Sequence, residues 1–213
     1  MLVGDRMSHP VISINPDLPV VDALNLMKRE RIRRTPVVKN GKMIGIVSDK
    51  DLLNASPSSA TSLSVWEMNY LLSRIKVKDL MTKKVLTVSE DTPNEEAARI
   101  MADNKIGGLP VMRADHIVGI ITETDLFKIL LELMGAREPG VRMSVLILDK
   151  PGQLAKLTNT IANLNGNIIA FGQFTGEDPS NREVTFKVSG LDEGQLRSEI
   201  EPIVERVLDI RTV

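Results

Sequence analysis

The 213-residue chain has no cysteine, and this absence excludes several kinds of chemistry at once. Without thiols there are no disulfide bonds, no thiolate metal ligands and no cysteine nucleophile. Only two histidines occur, His9 and His116, and neither has a partner at a spacing typical of metal ligands. The sequence also has no Walker-type loop, Ser–His–Asp arrangement or dinucleotide fingerprint. We therefore predict no metal site, no catalytic residue and no enzymatic activity.

An excess of charge of one sign and long hydrophobic runs are missing as well. The formal net charge is −1, with 18 basic and 17 acidic residues up to position 135 and 9 and 11 beyond it. Neither part has the basic excess of a general nucleic-acid binder. The most apolar stretch, 126–134, contains Lys128 and Glu132, and residues 1–10 lead into no apolar segment. We predict no membrane span and no signal peptide, hence a cytoplasmic protein without nucleic-acid or membrane partners.

The first two-thirds of the chain is an internal repeat. At an offset of 74, residues 5–55 match residues 79–129 without a gap, with 14 identities in 51 positions. Ordinary composition gives about three identities by chance. Such repeats mark duplicated units that bury each other's apolar faces. Each copy predicts the order β-α-β-β-α, with strands at 11–14, 36–38 and 43–48 and, in the second copy, at 85–88, 110–112 and 117–122.

Two further regions complete the organisation. Between the copies, Ser64 and Glu67 form a capping box for a helix on which Trp66 and Tyr70 share one face. That face predicts packing against a partner, with ligand stacking as the alternative. From residue 141 onwards the pattern predicts a ferredoxin-like βαββαβ unit. Its strands are expected at 143–148, 168–174, 183–188 and 207–211, and its helices at 153–164 and 192–204.

Short motifs give these regions a family resemblance. Residues 45–51 (GIVSDKD) and 119–125 (GIITETD) resemble the closing motif of CBS domains. Residues 32–37 (IRRTPV) and 106–111 (IGGLPV) resemble the start of that family's second strand. The stretches 149–154 (DKPGQL) and 165–168 (NGNI) resemble an ACT domain. The order of the parts, with the segment 62–73 between the repeats, is similar to acetoin-utilisation (AcuB-like) CBS/ACT proteins.

The predicted fold class is therefore α+β: a tandem CBS pair followed by a ferredoxin-like ACT domain. The expected parts are CBS repeat 1 (1–55), an inter-repeat helix and linker (56–75), CBS repeat 2 (76–135), a linker (136–140) and the ACT domain (141–213).

The CBS resemblance implies that an adenosine-type ligand, such as AMP, ATP or S-adenosylmethionine, binds in clefts between the repeats, with no required cofactor. Asp51 and Asp125 would accept hydrogen bonds from a ribose diol, and Ser48 and Thr122 would supply hydroxyls at helix starts that favour phosphate. The same Ser/Thr-x-x-Asp spacing is also a capping motif, and both roles are compatible. The residues expected to contact the nucleotide are Ser13, Arg33, Arg34, Pro36, Val37, Ser48, Asp51, Thr87, Gly107, Gly108, Pro110, Val111, Thr122 and Asp125.

The two copies differ where the family's residues face phosphates. Arg33 and Arg34 in the first copy correspond to Gly107 and Gly108 in the second. An arginine fork suits phosphate geometry. We expect the cleft with Asp51 to prefer a phosphorylated ligand and the cleft with Asp125 to be weaker or empty. Residues 11–13 and Pro36–Val37 are expected to form an apolar slot for the base. Thr35, where the family usually has an apolar residue, is expected to make that slot more polar.

The ACT resemblance implies that a small amino acid could bind at Asp149, Gly152 and Asn167, with a tight turn capped by Asp149 as the alternative. Exposed strand edges favour a homodimer. The sequence thus predicts a regulatory sensor acting on an unknown protein and connected to acetoin utilisation. Two alternatives stay open: a constitutive dimerising scaffold with empty clefts, and an amino-acid sensor with a structural CBS pair.

Overall fold

The chain divides into two units, Met1–Leu126 and Phe127–Val213, in the computed structural model, which describes residues 1–54 and 74–213. The predicted inter-repeat helix with Ser64, Trp66, Glu67 and Tyr70 lies outside the described residues. The helices are α1 (Val20–Glu30), α2 (Asp49–Asn54), α3 (Val77–Leu80), α4 (Asn94–Asn104), α5 (Glu123–Leu133), α6 (Gln153–Asn163) and α7 (Glu193–Ile200). The strands are β1 (Arg34–Lys39), β2 (Lys42–Ser48), β3 (Val88–Ser89), β4 (Gly108–Arg113), β5 (His116–Thr122), β6 (Val141–Leu148), β7 (Asn167–Thr175), β8 (Asn181–Ser189) and β9 (Arg206–Thr212).

The two repeats in the first unit have the same local structure. In each, an 11-residue helix (α1 or α4) begins after a proline and ends at a residue in the left-handed conformation, Arg31 or Lys105. An antiparallel hairpin follows, β1–β2 or β4–β5, with a register shift at the same place in both copies. The closing helices α2 and α5 begin directly after β2 and β5.

The first predicted strand of each repeat is much shorter than expected. Residues 11–14 are reduced to one parallel bridge between Ile14 and Val37, and residues 85–88 to the two-residue strand β3. Both backbone groups of Ile14 bond to β1: its N–H donates to the carbonyl of Pro36, and its carbonyl accepts from the N–H of Val38. Pro36 has no N–H with which to extend the ladder. Instead, the hydroxyl of Thr35 donates to the carbonyl of Ile12 at 2.5 Å.

The first residues of each repeat, its leading segment, pack into the core of the other repeat. Val3, in the 3-10 turn Val3–Asp5, belongs to the buried core of the second repeat, and its N–H donates to the carbonyl of Thr92 at 2.8 Å. Val77, which follows Val3 by the repeat offset of 74, belongs to the core of the first repeat, and its N–H donates to Leu18 at 3.0 Å. Full burial of a valine side chain contributes about 1.5–3 kcal/mol. Each repeat core is therefore completed by the other repeat's leading segment.

In each repeat, a methionine of the leading segment packs on a glycine of the other repeat. A Cβ on Gly45 would stand 2.7 Å from the sulfur of Met81 and 2.9 Å from the carbonyl oxygen of Thr82. A Cβ on Gly119 would meet the sulfur of Met7, which precedes Met81 by the same 74 residues. Both glycines thus permit close approach of the exchanged segment, which a larger residue would obstruct.

The second unit has the ferredoxin-like topology predicted for it. Its four-stranded antiparallel sheet has the order β7-β8-β6-β9, and α6 and α7 pack their buried Leu157, Ile161, Leu196 and Ile200 into the core beside one face. The second helix is shorter than predicted and ends at Ile200, followed by the 3-10 turn Glu201–Ile203. Pro202 in that turn accounts for the difference, since proline cannot continue an α-helix.

None of the described helices is both long enough and apolar enough to cross a bilayer.

Candidate functional site

A cleft of about 730 Å³ lies between the two repeats, within the range of ligand pockets. We call it the Asp51 cleft. Ser48 and Asp51 enter it from the end of β2 and the start of α2, and Arg33 and Arg34 from the start of β1. The full lining is Arg33, Arg34, Ile46, Val47, Ser48, Asp49, Lys50, Asp51, Thr82, Lys84, Val85, Leu86, Asn104, Lys105, Ile106, Gly107, Gly108 and Glu123.

Asp51 and Ser48 form a local cap at the start of α2. Oδ2 of Asp51 accepts from the backbone N–H of Ser48 at 2.8 Å and from its hydroxyl at 2.7 Å. Both hydrogen bonds use the same carboxylate oxygen, and Asp51 is half-buried in the cleft wall. The capping role is thus present, while the other oxygen, Oδ1, accepts no hydrogen bond from the described residues. Asp51 can therefore cap the helix and still accept a hydrogen bond from a ligand.

The corresponding pair in the second repeat has the same cap in a more enclosed position. Thr122 donates to Oδ2 of Asp125 through its backbone N–H at 3.1 Å and through its hydroxyl at 2.7 Å. Asp125 is only 6% exposed. The repeat symmetry thus extends to the cap but not to the accessibility of the carboxylate.

Arg34 extends across the cleft to the second repeat. A Cβ on Gly108 would stand 2.8 Å from Nη1 of Arg34 and 3.0 Å from its Cδ, and a Cβ on Gly107 would overlap the same guanidinium. Burial lowers the pKa of Arg34, and the carboxylates of Glu123 and Asp49 oppose that shift. An arginine stays charged in proteins, so the cleft contains a partly buried cation. The two glycines provide the space that this side chain occupies.

The charge of the cleft is positive overall. Five basic side chains line it, Arg33, Arg34, Lys50, Lys84 and Lys105, against three carboxylates, Asp49, Asp51 and Glu123. A cleft with this excess concentrates anions. No group of three or more histidine, aspartate and glutamate side chains placed to bind a metal occurs in the described parts of the chain.

The structure brings together six of the predicted nucleotide-binding residues in the Asp51 cleft: Arg33, Arg34, Ser48, Asp51, Gly107 and Gly108. The other eight lie outside its lining. Pro36, Val37, Pro110 and Val111 are buried within the repeat cores, Ser13 and Thr87 are exposed, and Thr122 and Asp125 cap α5.

Two expectations about the apolar slot need correction. Val85 and Leu86 of the second repeat line the Asp51 cleft, whereas residues 11–13 and Pro36–Val37, expected to form the slot, do not. The exchange of leading segments is the reason, because it pairs Thr82 with Ile46 of the first repeat and so brings Val85 and Leu86 to the cleft. Thr35 is fully buried, and its hydroxyl donates to the carbonyl of Ile12, so it adds no polarity to the cleft.

The sequence interpretation also missed several cleft residues, among them Asp49, Lys84, Lys105 and Glu123. Glu123 follows Asp49 by the repeat offset, so alignment of the copies could have identified that pair. Lys84 and Lys105 carry no such signal, since only the packing of the two repeats brings them to the cleft.

The predicted amino-acid site is not assembled within one chain. Asp149 follows β6 and accepts from Nε and Nη2 of Arg182 at 3.0 and 2.9 Å, and Gly152 starts α6 with a φ of +88°. Asn167 pairs with Ser189 at the other end of the sheet. Strand geometry separates these ends by about 25 Å. Asp149 and Asn167 therefore cannot contact one small ligand in a single chain.

The family model of the CBS domain matches residues 3–58 and 77–132, more than half of the chain. The chain belongs to the CBS domain family. The two matches coincide with the repeats that form the cleft, and each begins at the exchanged leading segment, at Val3 and at Val77.

Solved CBS pairs are similar to this chain over the same region. A candidate acetoin utilization protein (AcuB) from Vibrio cholerae is 32% identical with a TM-score of 0.53, covering 65% of this chain and 96% of that one. CBSX2 of Arabidopsis thaliana, solved in complex with AMP, is 33% identical with a TM-score of 0.52, covering 61% and 96%. The CBS domain pair of protein MJ0100, solved with 5′-methylthioadenosine and S-adenosyl-L-methionine, is 26% identical with a TM-score of 0.52, covering 65% and 98%.

Proposed function

We propose that this protein is a non-enzymatic regulatory sensor that binds a phosphorylated adenosine ligand in the Asp51 cleft. The observation that carries the proposal is the position of Arg34, a partly buried guanidinium in a cleft that also contains the half-buried Asp51. A ribose diol needs an acceptor and a phosphate needs a cation, and this cleft offers both. The AMP complex of CBSX2 supports the class of ligand.

The second cleft is proposed to be weaker or empty. Its carboxylate, Asp125, is buried, and the positions corresponding to Arg33 and Arg34 are glycines. A ligand there would lack both an accessible ribose acceptor and a phosphate-binding cation. We therefore expect one nucleotide bound per chain.

Isothermal titration with AMP, ATP, S-adenosylmethionine and adenosine tests the proposal on the full chain. Charged hydrogen bonds contribute about 1.5–3 kcal/mol each. Arg34→Met should thus weaken AMP roughly 10- to 100-fold and adenosine less than about threefold. Arg29→Met is the matched control, because Arg29 is exposed on α1 and pairs with Glu30 outside the cleft.

Asp51→Asn and Asp125→Asn locate the site, since asparagine keeps an acceptor for the helix cap. Loss of AMP binding in Asp51→Asn and its retention in Asp125→Asn would support the Asp51 cleft. Equal losses of AMP and adenosine in Arg34→Met would contradict phosphate recognition. The absence of binding by the native protein, at millimolar ligand and two temperatures, would favour the scaffold or the amino-acid sensor instead.

The second unit is proposed to be an ACT domain that forms a homodimer and passes the nucleotide signal to a regulated protein. Its strand order and βαββαβ connectivity support this. An amino acid at Asp149 and Asn167 would require two chains, because one chain separates them. Light scattering with and without added amino acids measures both points. A monomer unaffected by any amino acid would contradict them.

The connection to acetoin utilisation and the cytoplasmic location stay proposals. The first is supported by the similarity to the Vibrio cholerae protein over the CBS pair. Growth on acetoin with the gene deleted would test it, and unchanged growth would contradict it.

A further inference from the structure

Glu123 reaches the Asp51 cleft from the opposite repeat. It is the first residue of α5 and is exposed. Its Oε2 lies 2.6 Å from the point where a Cβ on Gly107 would stand, and Nη1 of Arg34 lies 2.7 Å from the same point. The carboxylate and the guanidinium therefore flank the same point beside Gly107, and the charge of Glu123 opposes the lowering of the pKa of Arg34 by burial, without a direct ion pair between the two described side chains.

A carboxylate in this position works against phosphate binding. Asp51 caps α2 and is the proposed ribose acceptor, whereas Glu123 and its repeat equivalent Asp49 add further negative charge to the same cleft. Like charges close together raise the free energy of the bound anion. A phosphate that binds Arg34 must also compete with the electrostatic attraction between Arg34 and Glu123. The acid thus reduces affinity unless the ligand brings enough charge to compensate.

We infer that Glu123 is a specificity-determining residue of the Asp51 cleft: its charge attracts Arg34 and sets the negative charge that a ligand needs in order to compete for that guanidinium. The inference rests on the proposed function. A phosphate accepts two parallel hydrogen bonds from a guanidinium and carries more charge than one carboxylate, so AMP can replace Glu123. A neutral nucleoside has no group that competes for Arg34.

The glycines opposite Arg34 fit this role. A side chain at Gly107 or Gly108 would occupy the place of the guanidinium. Arg34 therefore has a built position against the second repeat. A phosphate that drew Arg34 away from this position would weaken a contact between the two repeats, which would give the ligand a means of changing how they pack.

A double-mutant cycle measured by calorimetry with AMP and adenosine tests the inference. Glu123→Gln should strengthen AMP roughly tenfold and change adenosine less than about twofold. In the Arg34→Met background the same substitution should strengthen AMP at least threefold less, because Glu123 acts through Arg34. Glu123→Asp retains the charge and should keep AMP within about threefold of the native affinity. The control is Glu95→Gln, an exposed acid in the first turn of α4 outside the cleft lining.

The outcomes separate this inference from the proposed function. If the native protein binds AMP but Glu123→Gln leaves its affinity unchanged, or strengthens AMP and adenosine equally, the inference is wrong and the nucleotide site stands. If Glu123→Gln has the same effect with and without Arg34, the acid acts on the ligand directly and the role assigned to Arg34 is wrong. If the native protein binds no AMP, both proposals are overturned.

Discussion

Replacement of Thr35 by valine should destabilise the first unit although the two side chains have nearly the same shape. Thr35 is fully buried, and its hydroxyl donates to the carbonyl of Ile12 at 2.5 Å. Pro36, the next residue, has no N–H to offer in its place. Valine leaves the Ile12 carbonyl without that donor, and the loss of one such hydrogen bond costs about 1–2 kcal/mol. For the unit Met1–Leu126, a loss of this size lowers the melting temperature by about 4–8 °C.

Differential scanning calorimetry of Thr35→Val measures this shift, and Thr35→Ser is the matched control. Serine keeps the hydroxyl and loses one methyl group, so it should cost about half as much or less. The reasoning is refuted if serine destabilises as much as valine, because the methyl group rather than the hydrogen bond would then matter. It is also refuted if valine leaves the melting temperature unchanged.

Two further substitutions test the packing of each unit. Gly45→Ala should cost about 1–3 kcal/mol in urea unfolding, since its Cβ would stand 2.7 Å from the sulfur of Met81 and 2.9 Å from the backbone oxygen of Thr82. Gly194→Ala in the first turn of α7 is the control: its Cβ would stand 3.2 Å from Oδ1 of Asp192, and the gain in helix propensity should keep the change within about 1 kcal/mol. Equal costs would contradict the close approach at Gly45. Asp149→Ala should cost less than about 1 kcal/mol, because its ion pair with Arg182 is 38% and 39% exposed; a larger loss would show that the turn depends on this carboxylate.

The elements with strong local signals could be predicted from sequence. The helix period of α1 and α4 and the alternation of strands and helices in the second unit both arise from interactions within a few residues. The first strand of each repeat was predicted too long because its pairing depends on a distant proline. Whether a carbonyl at Ile12 finds a donor is decided by Thr35 and Pro36, 23 and 24 positions away along the chain.

The candidate site was predictable only in part, for a related reason. The motif residues Ser48, Asp51, Arg33 and Arg34 were identified because they belong to one repeat. Which apolar residues complete their cleft depends on which repeat each leading segment enters. The two copies have so similar a pattern that Val3 and Val77 suit either core, so the local sequence does not distinguish a segment that packs on its own repeat from an exchanged one.

The pattern of differences between the copies indicates where function has shaped this duplication. The contacts that join the repeats are alike in both: Val3 and Val77 enter opposite cores, and Met7 and Met81 pack on Gly119 and Gly45. The residues at the centre of the cleft are not alike, since arginine in one copy meets glycine in the other. An arginine at both central positions would place two guanidiniums in the same space, with like charges in contact. The position of Arg34 thus requires Gly107 and Gly108. The same asymmetry between the copies supports the proposal of a single bound nucleotide.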